Sequence, residues 1–133
     1  METKFNFKSQ ICTTREQSER LLSLGLKKET ADMAIEADHE SVYSAYYISA
    51  YPPSKRGIPA WSLHRLIEMI PQIIGHLELA VNDAFVGYYE DRCESETGMY
   101  WEHTEESSNL YDNIISTIEW LIKEGKFNKE YLV

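Results

Sequence analysis

The chain has 133 residues, of which 43% are hydrophobic and 26% are charged, and 22 acidic against 13 basic residues give a formal net charge of −9. This length fits a single domain over residues 1–133, and the composition excludes extensive disorder. The negative charge opposes binding to phosphate backbones and to anionic membranes, so nucleic acid is a disfavoured partner and a basic protein a favoured one.

The N-terminal residues and the cysteines indicate the compartment. Residues 1–10 (METKFNFKSQ) contain no apolar stretch of the signal-peptide type. No segment approaches the roughly 20 apolar residues of a transmembrane helix. The two cysteines, Cys12 and Cys93, form no CxxC pair, unlike the framework of a small secreted domain. We therefore expect a cytoplasmic protein with reduced thiols and no membrane segment.

Two helices are predicted near the N-terminus. A capping-box pattern at residues 13–16 begins the first, which runs to Leu24, and Gly25 follows at the position of a left-handed C-cap. The second is predicted over residues 29–37, so that the two form a helical hairpin. Part of the tyrosine-rich stretch at residues 41–51 is predicted to be extended.

The middle of the chain is predicted to form one more helix and a small sheet. After a loop that begins at Pro52, Ser62 caps a helix that Pro71 stops. Residues 77–81 alternate apolar and polar side chains as a half-buried strand does, and after a turn residues 85–90 return as a second strand. Residues 98–103 suit a third strand.

The last helix has the clearest pattern. It is predicted over residues 109–124, and Gly125 ends it. Its apolar residues recur at helical spacing on one face: Tyr111, Ile114, Ile115, Ile118, Leu121 and Ile122. That face must pack on the sheet or on the other helices. The sequence thus predicts an α+β fold, in which a helical hairpin, a central helix and a C-terminal helix pack on a short antiparallel sheet of two or three strands.

Catalytic and cofactor patterns are missing, and we predict no catalytic residue and no cofactor. The sequence contains no GxSxG, P-loop, GxGxxG or zinc-ligand spacing. The nearest set of metal ligands is Glu36, His39 and Glu40. On the predicted second helix, spacings of three and four would place Glu36 on one face with both others, where a divalent ion could be held. A solvated helix end, with His39 near the C-terminal dipole, is the favoured alternative.

Two features are candidates for interaction with a partner. Residues 90–106 contain seven acidic side chains against Arg92 alone, and Glu102, Glu105 and Glu106 lie within this run. The run could bind calcium or a basic partner, or it could simply protect a strand edge, which is the favoured interpretation. Trp120 lies about 180° around the last helix from its apolar stripe. Either residues 127–132 cover it, or it faces a partner.

The first two predicted helices superficially resemble a helix-turn-helix. The second of them offers Glu29, Asp32 and Glu36 to the groove, with Lys27 and Lys28 only at its start. Carboxylates in that place would face phosphates, so DNA binding is disfavoured and an αα-hairpin is favoured.

The cysteines are not predicted to be nucleophiles. Cys93 lies among carboxylates, which lower the reactivity of a thiol, and Cys12 is interpreted as a packing residue.

Three segments together resemble a known group of proteins. They are residues 12–18 (CTTREQS) with 21–26 (LLSLGL) and 29–33 (ETADM), residues 58–63 (IPAWSL), and residues 118–122 (IEWLI) with Gly125. In this order they resemble small proteins of unknown function that phages and mobile elements of Bacteroidales-type gut bacteria carry. The resemblance implies a mobile-element origin and an accessory role, and no activity or site residue. The Pro-Ala-Trp-Ser-Leu segment itself is interpreted as a helix entry, in which Trp61 packs before the cap Ser62.

Our leading hypothesis is a non-enzymatic accessory or interaction protein that binds a protein partner or associates with itself. The alternatives are a metal-assisted enzyme that uses Glu36 and His39 and, less favoured, a helix-turn-helix DNA-binding protein.

Overall fold

The computed structural model describes residues 9–37, 46–92 and 98–133. Within these residues the chain forms three α-helices, α1 (Arg15–Ser23), α2 (Leu63–Met69) and α3 (Leu110–Lys123). The same residues form seven strands: β1 (Met33–Ala37), β2 (Tyr46–Ala50), β3 (Ile58–Ala60), β4 (Ile73–Ile74), β5 (Leu77–Asn82), β6 (Phe85–Asp91) and β7 (Met99–Glu106). The predicted α+β class is confirmed.

The strands form two antiparallel sheets rather than one. The first has the order β2-β1-β3 and the second the order β4-β5-β6-β7. The three strands predicted for the second half of the chain are confirmed as β5, β6 and β7. The predicted sheet of two or three strands was too small, because β3 and β4 are too short to show an alternating pattern and β1 carries residues that favour helices.

The second predicted helix and the helical hairpin are wrong. Residues 29–37 instead contain the end of a 3₁₀ turn, Lys28–Thr30, and the strand β1. Burial alternates along β1: Ala34 and Glu36 are buried and the residues between them are half-buried, as on a strand. Pairing with β2 on one side and β3 on the other overrides the helix propensity of alanine, glutamate and methionine. The segment that would be the recognition helix of a helix-turn-helix is therefore a strand.

Helix α1 begins with a capping box one residue later than predicted. The hydroxyl of Thr14 accepts a hydrogen bond from Gln17 N at 3.2 Å, and Gln17 Oε1 accepts one from Thr14 N at 3.0 Å. The hydroxyl of Thr13 is buried and accepts a hydrogen bond from Trp61 N at 3.0 Å. Gly25 follows the helix with φ +102°, as a left-handed C-cap requires.

Helix α2 begins as predicted at the Pro-Ala-Trp-Ser-Leu segment. Ser62 Oγ accepts a hydrogen bond from Arg65 N at 3.2 Å, and the helix ends before Pro71. The predicted packing of Trp61 before the cap is confirmed, since its side chain is fully buried. Its Nε1 donates to Thr30 Oγ1 at 3.0 Å. Trp61, which precedes α2, therefore bonds both to Thr13 at the start of α1 and to Thr30 of the 3₁₀ turn.

Helix α3 is the centre of the core. It contacts β6 and β7 of the four-stranded sheet on one side and α1 and α2 on the other. Five of the six residues of the predicted apolar stripe are buried, and Ile122 is half-buried. Val86 and Tyr88 of β6 belong to the same core, where the Tyr88 hydroxyl donates to Pro71 O at 2.6 Å. None of the described helices is long and apolar enough to span a membrane.

An ion pair joins α1 to α3. Arg20 Nη2 lies 3.0 Å from Glu119 Oε2, and Lys123 Nζ lies 3.3 Å from the other carboxylate oxygen. The hydrogen bond from Arg20, and then that from Lys123, lower the pKa of Glu119. Because the pKa is lower in the folded state, this stabilisation is present above the pKa of the unfolded carboxyl group. It is lost as pH falls through the folded value.

We expect Arg20→Met to raise the pKa of Glu119, because the hydrogen bond from Arg20, which contributes most to stabilising the charged carboxylate, is removed. An NMR titration that follows the Glu119 side-chain carboxyl carbon measures this shift. Arg15→Met, which removes an arginine of the same helix that pairs with Glu19, is the matched control and should leave the pKa of Glu119 unchanged. An unchanged value in Arg20→Met would show that the pair does not form in solution.

Candidate functional site

The structure brings Trp120 and the acidic strand β7 together. Glu102, Glu105 and Glu106 lie on β7, and Trp120 on α3 stacks against His103 of the same strand. The ring centroids of Trp120 and His103 are 4.3 Å apart and their planes differ by 12°. Trp120 and the strand that carries the predicted acidic residues are therefore neighbours in space.

The sheet covers part of Trp120, a possibility that the sequence analysis did not consider. Besides His103, its ring meets that of Tyr88 at a centroid distance of 5.8 Å, and the side chain is half-buried. The polar face of α3 is covered too, since Asn113 and Thr117 are buried. Whether Trp120 contacts a partner stays a prediction.

A small cavity of about 340 Å³ lies beside Trp120. Within its lining, Arg20 and Lys123 both contact Glu119, and His103 Nε2 lies 3.0 Å from Glu105 Oε1 without hydrogen-bond alignment. Glu119 is therefore already paired with two cations, and Glu105 is the second carboxylate of the lining.

An aromatic cluster covers the face of the four-stranded sheet that points away from the core. The ring of Trp101 meets that of Phe85 edge to face, at 4.9 Å and 88°, and that of Tyr89 at 5.1 Å and 41°. Val86 and Tyr88 point into the core, so Phe85 and the residues that alternate with them point away from it. Trp101 keeps 37% of its surface exposed. We call Phe85, Tyr89 and Trp101 the aromatic face.

Gly87 makes room for the aromatic face. A Cβ atom at this position would lie 2.8 Å from Phe85 Cζ, 2.9 Å from His103 O and 3.0 Å from Trp101 Cζ3. The first two distances are too short for real contacts and the third is unusually tight, so a side chain here would displace the rings. Aromatic side chains that lie over a glycine are a known means of stabilising strands.

A register shift turns Trp101 toward this face. Tyr88 pairs with His103 but Tyr89 pairs with Trp101, so that Glu102 is the extra residue of a β-bulge. Without the bulge, Trp101 and His103 would point to the same side of the strand. With it, His103 stacks on Trp120 on the core side and Trp101 joins the aromatic face.

The strands that carry the aromatic face are rich in carboxylates. Strands β5 to β7 and their described connections, residues 77–92 and 98–106, contain seven acidic residues and Arg92 as their one lysine or arginine. Arg92 contacts Glu90, and its guanidinium lies 3.7 Å from the ring centroid of Tyr100. At the end of the face, Glu78, Glu90 and Asp91 line an open cavity of about 670 Å³.

One carboxylate of this cavity contacts the aromatic face directly. Glu78 Oε2 accepts a hydrogen bond from the Tyr89 hydroxyl at 3.1 Å, and this bond raises the pKa of Tyr89. The face is thus both aromatic and negatively charged. The acidic residues were predicted from the sequence, but the aromatic face was not. The pattern that could have indicated the aromatic face is the high number of aromatic residues in residues 85–89 (FVGYY) and 99–101 (MYW).

The helix on which the metal candidate Glu36, His39 and Glu40 was predicted is not found. Glu36 lies on a strand, so the helical spacing argument fails. Its buried carboxylate accepts hydrogen bonds from Ser54 N, at 2.7 Å, and from the Ser54 hydroxyl. It therefore holds the loop before β3. His39 and Glu40 lie outside the described residues. Within the described residues, no group of three His, Cys, Asp or Glu side chains could hold a metal ion.

The cysteines add no chemistry to the described surface. Cys12 is buried, as its interpretation as a packing residue predicted. Burial and the nearby charge of Asp32 raise the pKa of its thiol, which makes it a poor nucleophile. Cys93 lies outside the described residues.

No protein-family model, no curated protein and no solved structure matches the chain. The aromatic face and its carboxylates therefore provide the argument for function.

Proposed function

We propose that the protein is a non-enzymatic interaction protein, which binds a basic partner protein through the aromatic face and the carboxylates around it. The observation that carries the proposal is Trp101, which a β-bulge holds outward over Gly87 on a sheet rich in acidic residues. Tryptophan and tyrosine supply much of the binding energy in protein interfaces.

The charge and the rings would act at different stages of binding. The carboxylates attract a basic partner over a distance and speed its association. On contact, a lysine or arginine side chain over the ring of Trp101 gains a cation–π interaction of roughly 0.5–2 kcal/mol. Since the cluster is packed on a sheet and fixed by ring contacts, little side-chain entropy is lost on binding.

The proposal includes an accessory role in a phage or mobile element. This part rests on the resemblance of the three segments quoted above. The enzyme alternative through Glu36 and His39 is not favoured, because the Glu36 carboxylate is already bonded to Ser54. The DNA-binding alternative is not favoured either, because its second helix is the strand β1.

Calorimetry at low salt with a lysine-rich peptide as probe tests the proposal. We expect Trp101→Ala to weaken binding by about thirtyfold, which corresponds to about 2 kcal/mol for a tryptophan at the centre of an interface. Ile73→Ala is the matched control, since Ile73 is an exposed apolar residue on β4 of the same sheet. Absence of binding to the wild-type protein, or an equal loss in the control, would contradict the proposal.

The carboxylates of β7 should control the rate of association. We expect Glu102→Gln with Glu106→Gln to slow association with the lysine-rich peptide several-fold and to reduce its salt dependence, with a smaller effect on dissociation. Stopped-flow tryptophan fluorescence measures both rates. Glu124→Gln with Glu130→Gln removes the same charge from exposed positions outside the sheet. If this control slows association equally, net charge and not the site is responsible.

A further inference from the structure

Strand β7 is the long open edge of the four-stranded sheet. It has eight residues and is paired with β6 alone among the described strands. The other edge, β4, has two residues. Within the described residues, no backbone hydrogen bond from any element other than β6 reaches residues 100–106. An edge strand of this kind presents a row of backbone N–H and C=O groups that an extended chain can pair with.

The side chains of this edge disfavour pairing with a second copy of the chain. Glu102, Glu105 and Glu106 lie on β7, and Glu90 and Asp91 lie on the neighbouring strand. Joining two such edges would bring carboxylates together, and like charges on adjacent strands are destabilising. The formal net charge of −9 adds to this repulsion. A strand that carries lysine or arginine has the complementary charge.

The two faces of the edge would receive the side chains of an added strand. The side chains of a strand alternate between the two faces of its sheet. Those on the outer face would lie next to Trp101, and those on the core side next to Glu105, which lines the cavity beside Trp120. A cationic side chain would meet the ring of Trp101 if it lay on the outer face and the carboxylate of Glu105 if it lay on the core side.

We propose that β7 binds an extended basic segment of the partner protein as a fifth strand of the sheet. This inference rests on the proposed function, because it names how the partner occupies the same surface. Backbone pairing would supply affinity, and the alternating contacts with Trp101 and Glu105 would select a basic sequence.

The test uses the full chain and a short peptide of alternating lysine and valine. A second peptide has the same sequence but is N-methylated at two adjacent central residues, which blocks pairing along both of its edges. We expect the first peptide to bind and the second to bind at least about tenfold more weakly. Hydrogen exchange followed by NMR should show new protection of β7 amides with the first peptide only.

The outcomes separate this inference from the proposed function. Equal affinity for both peptides, without protection of β7, would overturn strand addition but leave binding at the aromatic face intact. Failure of both peptides to bind would overturn both. Size-exclusion chromatography with light scattering on the wild type and on Trp120→Ala tests self-association. A wild-type dimer whose β7 amides are protected without peptide would identify a second copy, and not a basic partner, as the occupant.

Discussion

Replacing Trp61 by alanine is expected to lower the free energy of unfolding by about 3–5 kcal/mol. The side chain is fully buried in the hydrophobic core, and its removal leaves a large cavity there. The hydroxyl of Thr30 also loses the hydrogen bond from the indole Nε1. Since a domain of this size has about 5–15 kcal/mol of stability, most of the variant could unfold at moderate temperature. Urea unfolding followed by circular dichroism measures the loss.

Two controls separate the effects of cavity and hydrogen bond. Trp61→Phe keeps an aromatic ring but removes the donor to Thr30, so it should cost less than the alanine variant, at roughly 1–3 kcal/mol. Trp101→Ala removes the same side chain from an exposed position and should cost about 1 kcal/mol. If Trp61→Ala were no more destabilising than Trp101→Ala, the position of Trp61 at the centre of the core would be wrong.

Replacing Gly87 by alanine is expected to destabilise the protein and to abolish most binding of the basic probe. The new Cβ atom would meet Phe85, Trp101 and the backbone oxygen of His103 at 3.0 Å or less. The rings can rotate away, but the backbone oxygen belongs to the paired strand and cannot move without disturbing the sheet. We expect a loss of about 1–3 kcal/mol in stability, together with displacement of Trp101 from the aromatic face.

A double-mutant cycle identifies the cause. If the ring of Trp101 is part of the clash, then Gly87→Ala should cost less in a Trp101→Ala background than in the wild type. Thermal unfolding of the four proteins gives the coupling energy. Strict additivity, or a Gly87→Ala variant that is as stable as the wild type, would contradict the close packing of the rings over Gly87.

The elements that could be predicted from the sequence carry local signals. Helix α3 has an apolar stripe at helical spacing, and Gly125 after it adopts φ +69°. Ser62 caps the start of α2, and Pro71, which lacks a backbone N–H group, follows its end. The first strand of the β5–β6 hairpin alternates, and the chain turns at Asp83 and Ala84, where Asn82 Oδ1 accepts a hydrogen bond from Ala84 N. Each of these signals acts within a few residues, so it can be seen in one sequence.

The errors arise where distant contacts decide the structure. Residues 33–37 favour a helix by composition, but pairing with β2 and β3 makes them a strand. Glu36 is buried because Ser54, which is 18 residues away, satisfies its carboxylate. Likewise Trp120 is partly covered by His103, which lies on strand β7. Such partners cannot be identified from spacing alone.

The candidate site was predictable in part. The acidic residues of β7 were identified from their number in residues 90–106, and their place on an edge strand agrees with the favoured interpretation of edge protection. The aromatic face was missed because it depends on the bulge at Glu102, which turns Trp101 to the outer side. A one-residue change of register has no signature in a single sequence.

An NMR titration tests the central claim most directly. Amide chemical shifts of the labelled protein are followed while the peptide of alternating lysine and valine is added at low salt. We predict that the largest shifts occur in β6 and β7, that they include the indole N–H of Trp101, and that the backbone shifts of Trp101→Ala need about thirtyfold more peptide. Shifts confined to α1 and α2, or no shifts at millimolar peptide, would contradict the assignment of this surface as the binding site.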